Sequence, residues 1–268
     1  MTDPFAPLRL DGKVVIVTGA TQGLGAAIAR RCAALGARLV LTGRDAARGE
    51  AIRGELDAVF VPAELQDPDA CRAVVVAADP SYGRLYGLVN SAGLSSRGTL
   101  DDTSVELWDR LFAVNARAPF VLTQAAAPLM RRAGGGSVVN IITMSSHGGQ
   151  PDLMAYSASK AALAGFTRNA GYALQRDRIR VNGLNIGWTA TDGEHVVQTA
   201  EGAPEDWLTE ADASQPLGRL LRPDDIAPMI THLLSDAAVM ITGSVMDYDQ
   251  TVLGTHGTLV EEDPAWIS

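Results

Sequence analysis

Cysteine is almost missing from this chain. Cys32 and Cys71 are its two thiols, too few for a disulfide framework. Such scarcity fits a reducing, cytoplasmic setting. Histidine is sparse too. His147, His195, His232 and His256 are scattered and form no ligand-spaced cluster, so no metal site is expected. No run of apolar residues nears the roughly eighteen that a membrane span needs. Residues 1–10 hold two prolines and an acid without an apolar core, which argues against a signal peptide and reads as a flexible tail. Positive charge is outnumbered. Lys and Arg total 22 against 31 Asp and Glu, a net charge of −9. Nucleic acid is therefore a poor partner, because that affinity comes mainly from neutralising phosphates.

What is present is globular: 47% of the 268 residues are hydrophobic and 20% charged. Short apolar runs at 14–18, 38–42, 58–61, 88–89, 137–142, 179–185 and 244–248 alternate with helix-length segments at 23–35, 45–56, 67–78, 104–132, 153–175 and 224–234. Pro119 is a candidate interruption of the longest. Strands apolar on both faces and separated by helices predict a parallel sheet covered on both sides, an α/β doubly wound, Rossmann-like fold of about seven strands. No linker, repeat or low-complexity tract divides 1–268, so one domain is expected. The long segment 187–223 reads as an irregular lid, the kind of loop that is usually functional. In this topology right-handed crossovers place the first and third helices on opposite faces, so Cys32 and Cys71 are not expected to pair.

The first strand ends in Thr18-Gly19-Ala20-Thr21-Gln22-Gly23-Leu24-Gly25. Glycine permits the tight turn and lets a pyrophosphate approach backbone N–H groups at a helix N-terminus. Tyr156 and Lys160 lie four apart on a predicted helix and share one face. A tyrosine ionises near pH ~10, so proton exchange at neutral pH calls for a cation beside it.

The TGxxxGxG spacing, Asn90-Ser91-Ala92-Gly93, Val114-Asn115 and Tyr156-Ser157-Ala158-Ser159-Lys160 together resemble the short-chain dehydrogenase/reductase family. Pro216-Leu217-Gly218-Arg219 and Ile241-Thr242-Gly243 extend the resemblance over nearly the whole chain. It implies hydride transfer between a nicotinamide and a secondary alcohol or ketone. Tyr156 is then the acid/base, and Lys160 tunes it and holds the nicotinamide ribose. Asn115 maintains a proton relay through its backbone carbonyl and a local kink. The family's serine, thirteen residues before the tyrosine, is here Thr143, which keeps the hydroxyl; Ser145 and Ser146 are rivals if the register slips.

The resemblance also places cofactor contacts at Gly19, Thr21, Gln22, Gly23, Leu24 and Gly25, at Asn90, Ala92 and Gly93, at Tyr156 and Lys160, and at Ile186, Gly187, Thr189 and Thr191. Glu64, with Leu65, stands where aspartate is usual near the adenine, and Ile186 replaces a proline. Asp249-Gln250-Thr251 replaces the usual Asp-Gly-Gly, and a tail follows over 254–268. At the end of the second strand Gly43 replaces the carboxylate of NAD-preferring members, and Arg44 follows; a guanidinium can grip a 2′-phosphate by two hydrogen bonds. NADP is expected, with NAD as the alternative. The lid mixes Trp188, Trp207 and Leu208 with Glu194, His195, Gln198, Glu205 and Asp206, and those polar groups lean toward a sugar or polyol as the small-molecule substrate. A homo-oligomer, dimer or tetramer, is implied through the long helices and last strand. Two other functions stay open. One is a dinucleotide-binding regulator without catalysis, against which the intact Tyr156 and Lys160 argue. The other is reduction of an acyl chain on a carrier protein. Members of that type dock the acidic carrier with basic residues at positions that are Gly134 and Asp177 here, with Arg131, Arg132 and Arg176 nearby.

Overall fold

Val14–Thr18 (β1) is buried at all positions, as a strand covered on both faces must be. It is the centre of a computed structural model that describes residues 5–253; the tail read over 254–268 and the first four residues lie outside them. The chain continues through α1 (Gly23–Ala34), β2 (Arg38–Gly43), α2 (Ala46–Leu56), β3 (Val59–Pro62), α3 (Pro68–Val76), α4 (Ala78–Tyr82) and β4 (Gly87–Asn90). It then forms α5 (Val105–Phe112), α6 (Ala118–Arg132), β5 (Gly136–Thr143), α7 (Met154–Leu174), β6 (Ile179–Ile186), α8 (Asp192–Ala200), α9 (Trp207–Ala213), α10 (Pro223–Leu234) and β7 (Val245–Tyr248). All strand pairs are parallel, in the order β3-β2-β1-β4-β5-β6-β7. This is the expected doubly wound sheet. Its order reverses between β1 and β4, and a crevice opens there at the carboxyl ends of the strands.

Two cores sandwich the sheet. Ile28 and Cys32 of α1 pack with Ile226 and Ile230 of α10 in one, and Cys71 and Val74 of α3 pack with Leu122 and Met130 of α6 in the other. The two cysteines are therefore separated by the sheet, free and buried. Burial pushes Cys32 up to about 12 and Cys71 up to about 11, so neither thiol ionises at neutral pH.

Three expectations need correction. Residues 5–10 are not a loose tail: Ala6–Leu8 forms a short 3₁₀ turn, and Leu10 is fully buried with its N–H on the Leu35 carbonyl. The break in 104–132 begins before Pro119: the backbone runs helically through Arg117 and Ala118 into α6, so Pro119 only withholds the N–H that would reach the Asn115 carbonyl. The break is a π-helical turn, Ala113–Arg117. Last, 187–223 is not irregular, since it carries α8 and α9. Helix α8 buries no residue, so the apolar periodicity that announces a helix is weak there. Among the described residues no helix is long and apolar enough to cross a membrane.

Candidate active site

A cavity of about 910 Å³ opens beyond the ends of β5 and β6, between α7 and the lid; Thr143, Tyr156, Trp188 and Glu194 line it. Tyr156 and Lys160 project from the first turns of α7. Lys160 is buried, and its ammonium donates to the Ile141 carbonyl at 2.7 Å. Burial lowers it to about 8, so it stays largely protonated at neutral pH. Its Nζ lies 6.0 Å from the centre of the Tyr156 ring.

Withdrawal from water pushes the Tyr156 phenol up; a hydrogen bond with Thr143 pulls it back, and the Glu194 carboxylate pushes it up again. The expected lowering is thus not what the protein's own groups produce. Desolvation dominates, and Lys160 spends its charge on a backbone carbonyl. The resting phenol carries its proton.

Among the three candidate hydroxyls, Thr143 is the one that acts on the Tyr156 phenol, pulling it down; its Oγ1 also lies 3.4 Å from Ser145 Oγ. The Ser145 hydroxyl donates to Gln150 Oε1 at 2.5 Å, and Ser146 Oγ lies 3.4 Å from Asn185 Oδ1. Asn115 sits fully buried in the π turn. Its Oδ1 accepts from Leu94 N–H at 2.9 Å, and its Nδ2 donates to the Leu94 carbonyl at 2.9 Å and to Ser159 Oγ at 3.0 Å. Ser159 in turn donates to the Tyr156 carbonyl at 2.7 Å. The expected kink is present. Its side chain does something the sequence reading missed: it ties the segment after β4 to the helix of Tyr156.

The glycine turn leaves room only for backbone. Gly19 has φ +66°, and a Cβ there would stand 2.9 Å from the Ala92 Cα; a Cβ on Gly25 would stand 2.2 Å from the Gly19 carbonyl oxygen. Gln22, the N-cap of α1, provides no side-chain acceptor for the first-turn amides. Those N–H groups fit a pyrophosphate. Thr18 Oγ1 accepts from the N–H groups of Ser91 and Ala92, both at 3.0 Å, and so holds the Asn90–Gly93 segment beside the turn. Asn90 itself turns inward to Asn140 Oδ1 at 2.7 Å. A Cβ on Gly93 would lie 3.5 Å from Lys160 Nζ, so this segment also borders the cation.

The remaining expected contacts ring the same crevice or back it. Glu64 is exposed, while Leu65 is a core residue that accepts from the Cys71 thiol at 3.4 Å. Ile186, Gly187 and Thr189 line the cavity after β6, and Thr189 Oγ1 donates to the Gly187 carbonyl at 2.9 Å. Thr191 caps α8 and lies 3.5 Å from where a Cβ on Gly23 would be. Leu24 lines the cavity too. Arg44 is exposed beside Asp45, which caps α2. Arg48 was not singled out from the sequence. It pairs with Asp45 at 3.3 Å, and its guanidinium donates to Gln22 Oε1, beside the glycine turn. Its spacing of four from Arg44 on a helix start was the available signal.

The chain matches the family model described as "Enoyl-(Acyl carrier protein) reductase" over residues 19–251. It is 31% identical over 268 residues to the 3-alpha-(or 20-beta)-hydroxysteroid dehydrogenase of Mycobacterium tuberculosis, covering 97% of this chain and 99% of that protein. It is 33% identical over 243 residues to the NADP-dependent (R)-specific alcohol dehydrogenase of Lentilactobacillus kefiri, covering 88% of this chain and 94% of the other. The L-sorbose reductase of Gluconobacter frateurii, solved with NADPH and L-sorbose, has a TM-score of 0.86 at 27% identity, with 93% of this chain and all (100%) of that one covered. Sheet order, glycine turn and tyrosine–lysine helix define a nicotinamide-dependent oxidoreductase acting on CH–OH groups. The chain belongs to the short-chain dehydrogenase/reductase family.

Proposed function

We propose that this enzyme interconverts a secondary alcohol and its ketone, with NADP as the preferred cofactor and a hydroxylated small molecule, of sugar or polyol type, as substrate. One juxtaposition carries the reading. A protonated Tyr156 phenol lines a cavity together with Thr143, with the buried Lys160 one helical turn behind it.

When bound, the nicotinamide supplies or accepts the hydride. The chain's own groups do the rest. The glycine turn (Gly19, Thr21, Gln22, Gly23, Leu24, Gly25) and the N-terminus of α1 hold the pyrophosphate. Glu64 and Leu65 flank the adenine. Asn90, Ala92 and Gly93, with Ile186, Gly187, Thr189 and Thr191, enclose the nicotinamide half. Tyr156 gives its proton to the carbonyl oxygen in reduction and takes one in oxidation; its raised pKa suits it to the acid form. Thr143 positions that oxygen. Lys160 binds the ribose, and the π turn at Asn115 leads protons back to it. Segment 187–223 closes over the substrate.

The NADP preference rests on Gly43, where a side chain would collide with Thr21, on Arg44 and Arg48, and on relatives named for NADP or solved with NADPH. The carrier-protein alternative loses ground, because Arg131 pairs with Asp177 at 2.7 Å and Arg132 with Asp79 at 3.1 Å.

The test is Tyr156→Phe. Ring and packing remain and only the proton is lost, so kcat should fall by about a thousandfold, with the dissociation constant for NADP and the thermal midpoint nearly unchanged. A variant retaining more than about a tenth of the wild-type rate would overturn the assignment.

A further inference from the structure

The Thr191-x-x-Glu194 spacing that opens α8 is the signature of a capping box, in which the glutamate returns to the N-cap amide. Only the hydroxyl half is made: the Glu194 N–H donates to Thr191 Oγ1 at 3.1 Å. The carboxylate goes elsewhere. Its Oε1 accepts from the Trp188 indole at 2.8 Å and from the Gln198 amide at 2.8 Å. Both bonds fall on one oxygen, and among the described residues no donor reaches Oε2. The group is fixed in direction and half used.

Its surroundings are equally specific. Glu194 and Trp188 line the cavity with Tyr156 and Thr143. Trp188 is 42% exposed, and its indole is stacked 6.0 Å from that of Trp207, whose Nε1 donates to His195 Nδ1 at 2.9 Å. An aromatic face is thus held rigid beside an oriented acceptor. The Tyr156 phenol feels the carboxylate's charge. The other charged groups lining the cavity are Arg97, Asp152, Glu201 and Asp249. Arg97 is taken up by Asp152 at 2.9 Å and by Glu201, which leaves no cation to neutralise Glu194. Half-buried in the free protein and enclosed once a substrate fills the cavity, such an acceptor favours a substrate that brings a donor and penalises one that does not.

We propose that Glu194 determines specificity: its Oε2 accepts a hydrogen bond from a hydroxyl on the carbon next to the reacting one, so the enzyme prefers vicinal diols and α-hydroxy ketones to plain alcohols and ketones. Trp188 packs against the carbon framework of the same molecule. The inference rests on the oxidoreductase reading above and names its substrate class.

The probes are cyclohexane-1,2-diol and cyclohexanol, which differ by the one hydroxyl, oxidised by the whole enzyme with NADP. Wild type should favour the diol in kcat/KM by about thirtyfold or more, and Glu194→Gln and Glu194→Ala should each cut that ratio by about tenfold. A second readout does not involve the extra hydroxyl. Removing a negative charge near the phenol stabilises the phenolate, so the limb of the cyclohexanol pH–rate profile that belongs to Tyr156 should move to lower pH in Glu194→Gln. A wild type indifferent to the hydroxyl, a ratio unchanged in both variants, or a limb that stays in place overturns the inference while leaving the oxidoreductase reading intact. Failure to oxidise either alcohol with NADP or NAD strikes that reading itself, and this inference falls with it.

Discussion

A Cβ at position 43 would stand 2.6 Å from Thr21 Cγ2, so a carboxylate at the end of β2 that binds both ribose hydroxyls would first have to displace the Thr21 side chain. Arg44 follows on the exposed side, and Arg48 comes one helical turn later. A charge-assisted bond to phosphate contributes about 1.5–3 kcal/mol, roughly a ten- to hundredfold effect. Arg44→Ala should therefore lower kcat/KM for NADP by that factor and leave NAD much less affected. Arg48→Ala should cost less, because Asp45 and Gln22 already compete for its guanidinium. Steady-state kinetics with both cofactors decides: a wild type that favours NAD, or an Arg44→Ala variant with unchanged NADP kinetics, removes the assignment. At this scale the sequence was legible where chemistry follows from spacing within one element. The helical period put Tyr156 and Lys160 on one face, but it was the resemblance to the family's motif set that made them a candidate site, and Thr143 came from a gapless register against the family's serine. Arg48 and Ser159 were not legible, because Gln22 and Asn115 reach them by tertiary approach, and Glu194 was not, because its carboxylate leaves the cap its spacing suggests for Trp188 and Gln198.

At the scale of elements, the π turn at Ala113–Arg117 stands where the family resemblance put a local kink at Asn115. Pro119 was a nearby cue: the turn ends two residues before it, and its missing N–H withholds the i+4 partner of the Asn115 carbonyl inside the turn. The Asn115 amide rather than a breaker accounts for the turn's link to its surroundings: three hydrogen bonds join it to Leu94 and Ser159. Asn115→Leu keeps the size and strands the Leu94 N–H and carbonyl. A loss of about 2–4 kcal/mol is expected in urea unfolding, together with reduced turnover as the segment after β4 slackens. Stability within about 0.5 kcal/mol of wild type would show that the amide holds nothing. The strands were read almost to the residue, because covered β-branched runs have no competing explanation. The lid helices escaped because α8 buries nothing and α9 makes its own small cluster of Trp207, Ala211 and Leu220.

For the whole molecule, the outer face of α5, the π turn and α6 bears a groove of about 820 Å³ lined by Phe112, Arg117 and Phe120. Trp108 and, on α7, Tyr172 are exposed nearby in sequence or on the neighbouring helix. Such a face suits a twofold interface. We expect sedimentation at micromolar concentration to give a dimer or tetramer of the 28.1 kDa chain, and a monomer there would rule this out. The silent thiols have a practical consequence of another kind. Because Cys32 and Cys71 are shut inside opposite cores and held un-ionised, the native protein offers alkylating reagents no ready target. One cysteine introduced on the solvent side of α8 would then carry a fluorophore alone. The closure proposed for segment 187–223 could then be tested in real time without first stripping the protein of its own sulfur.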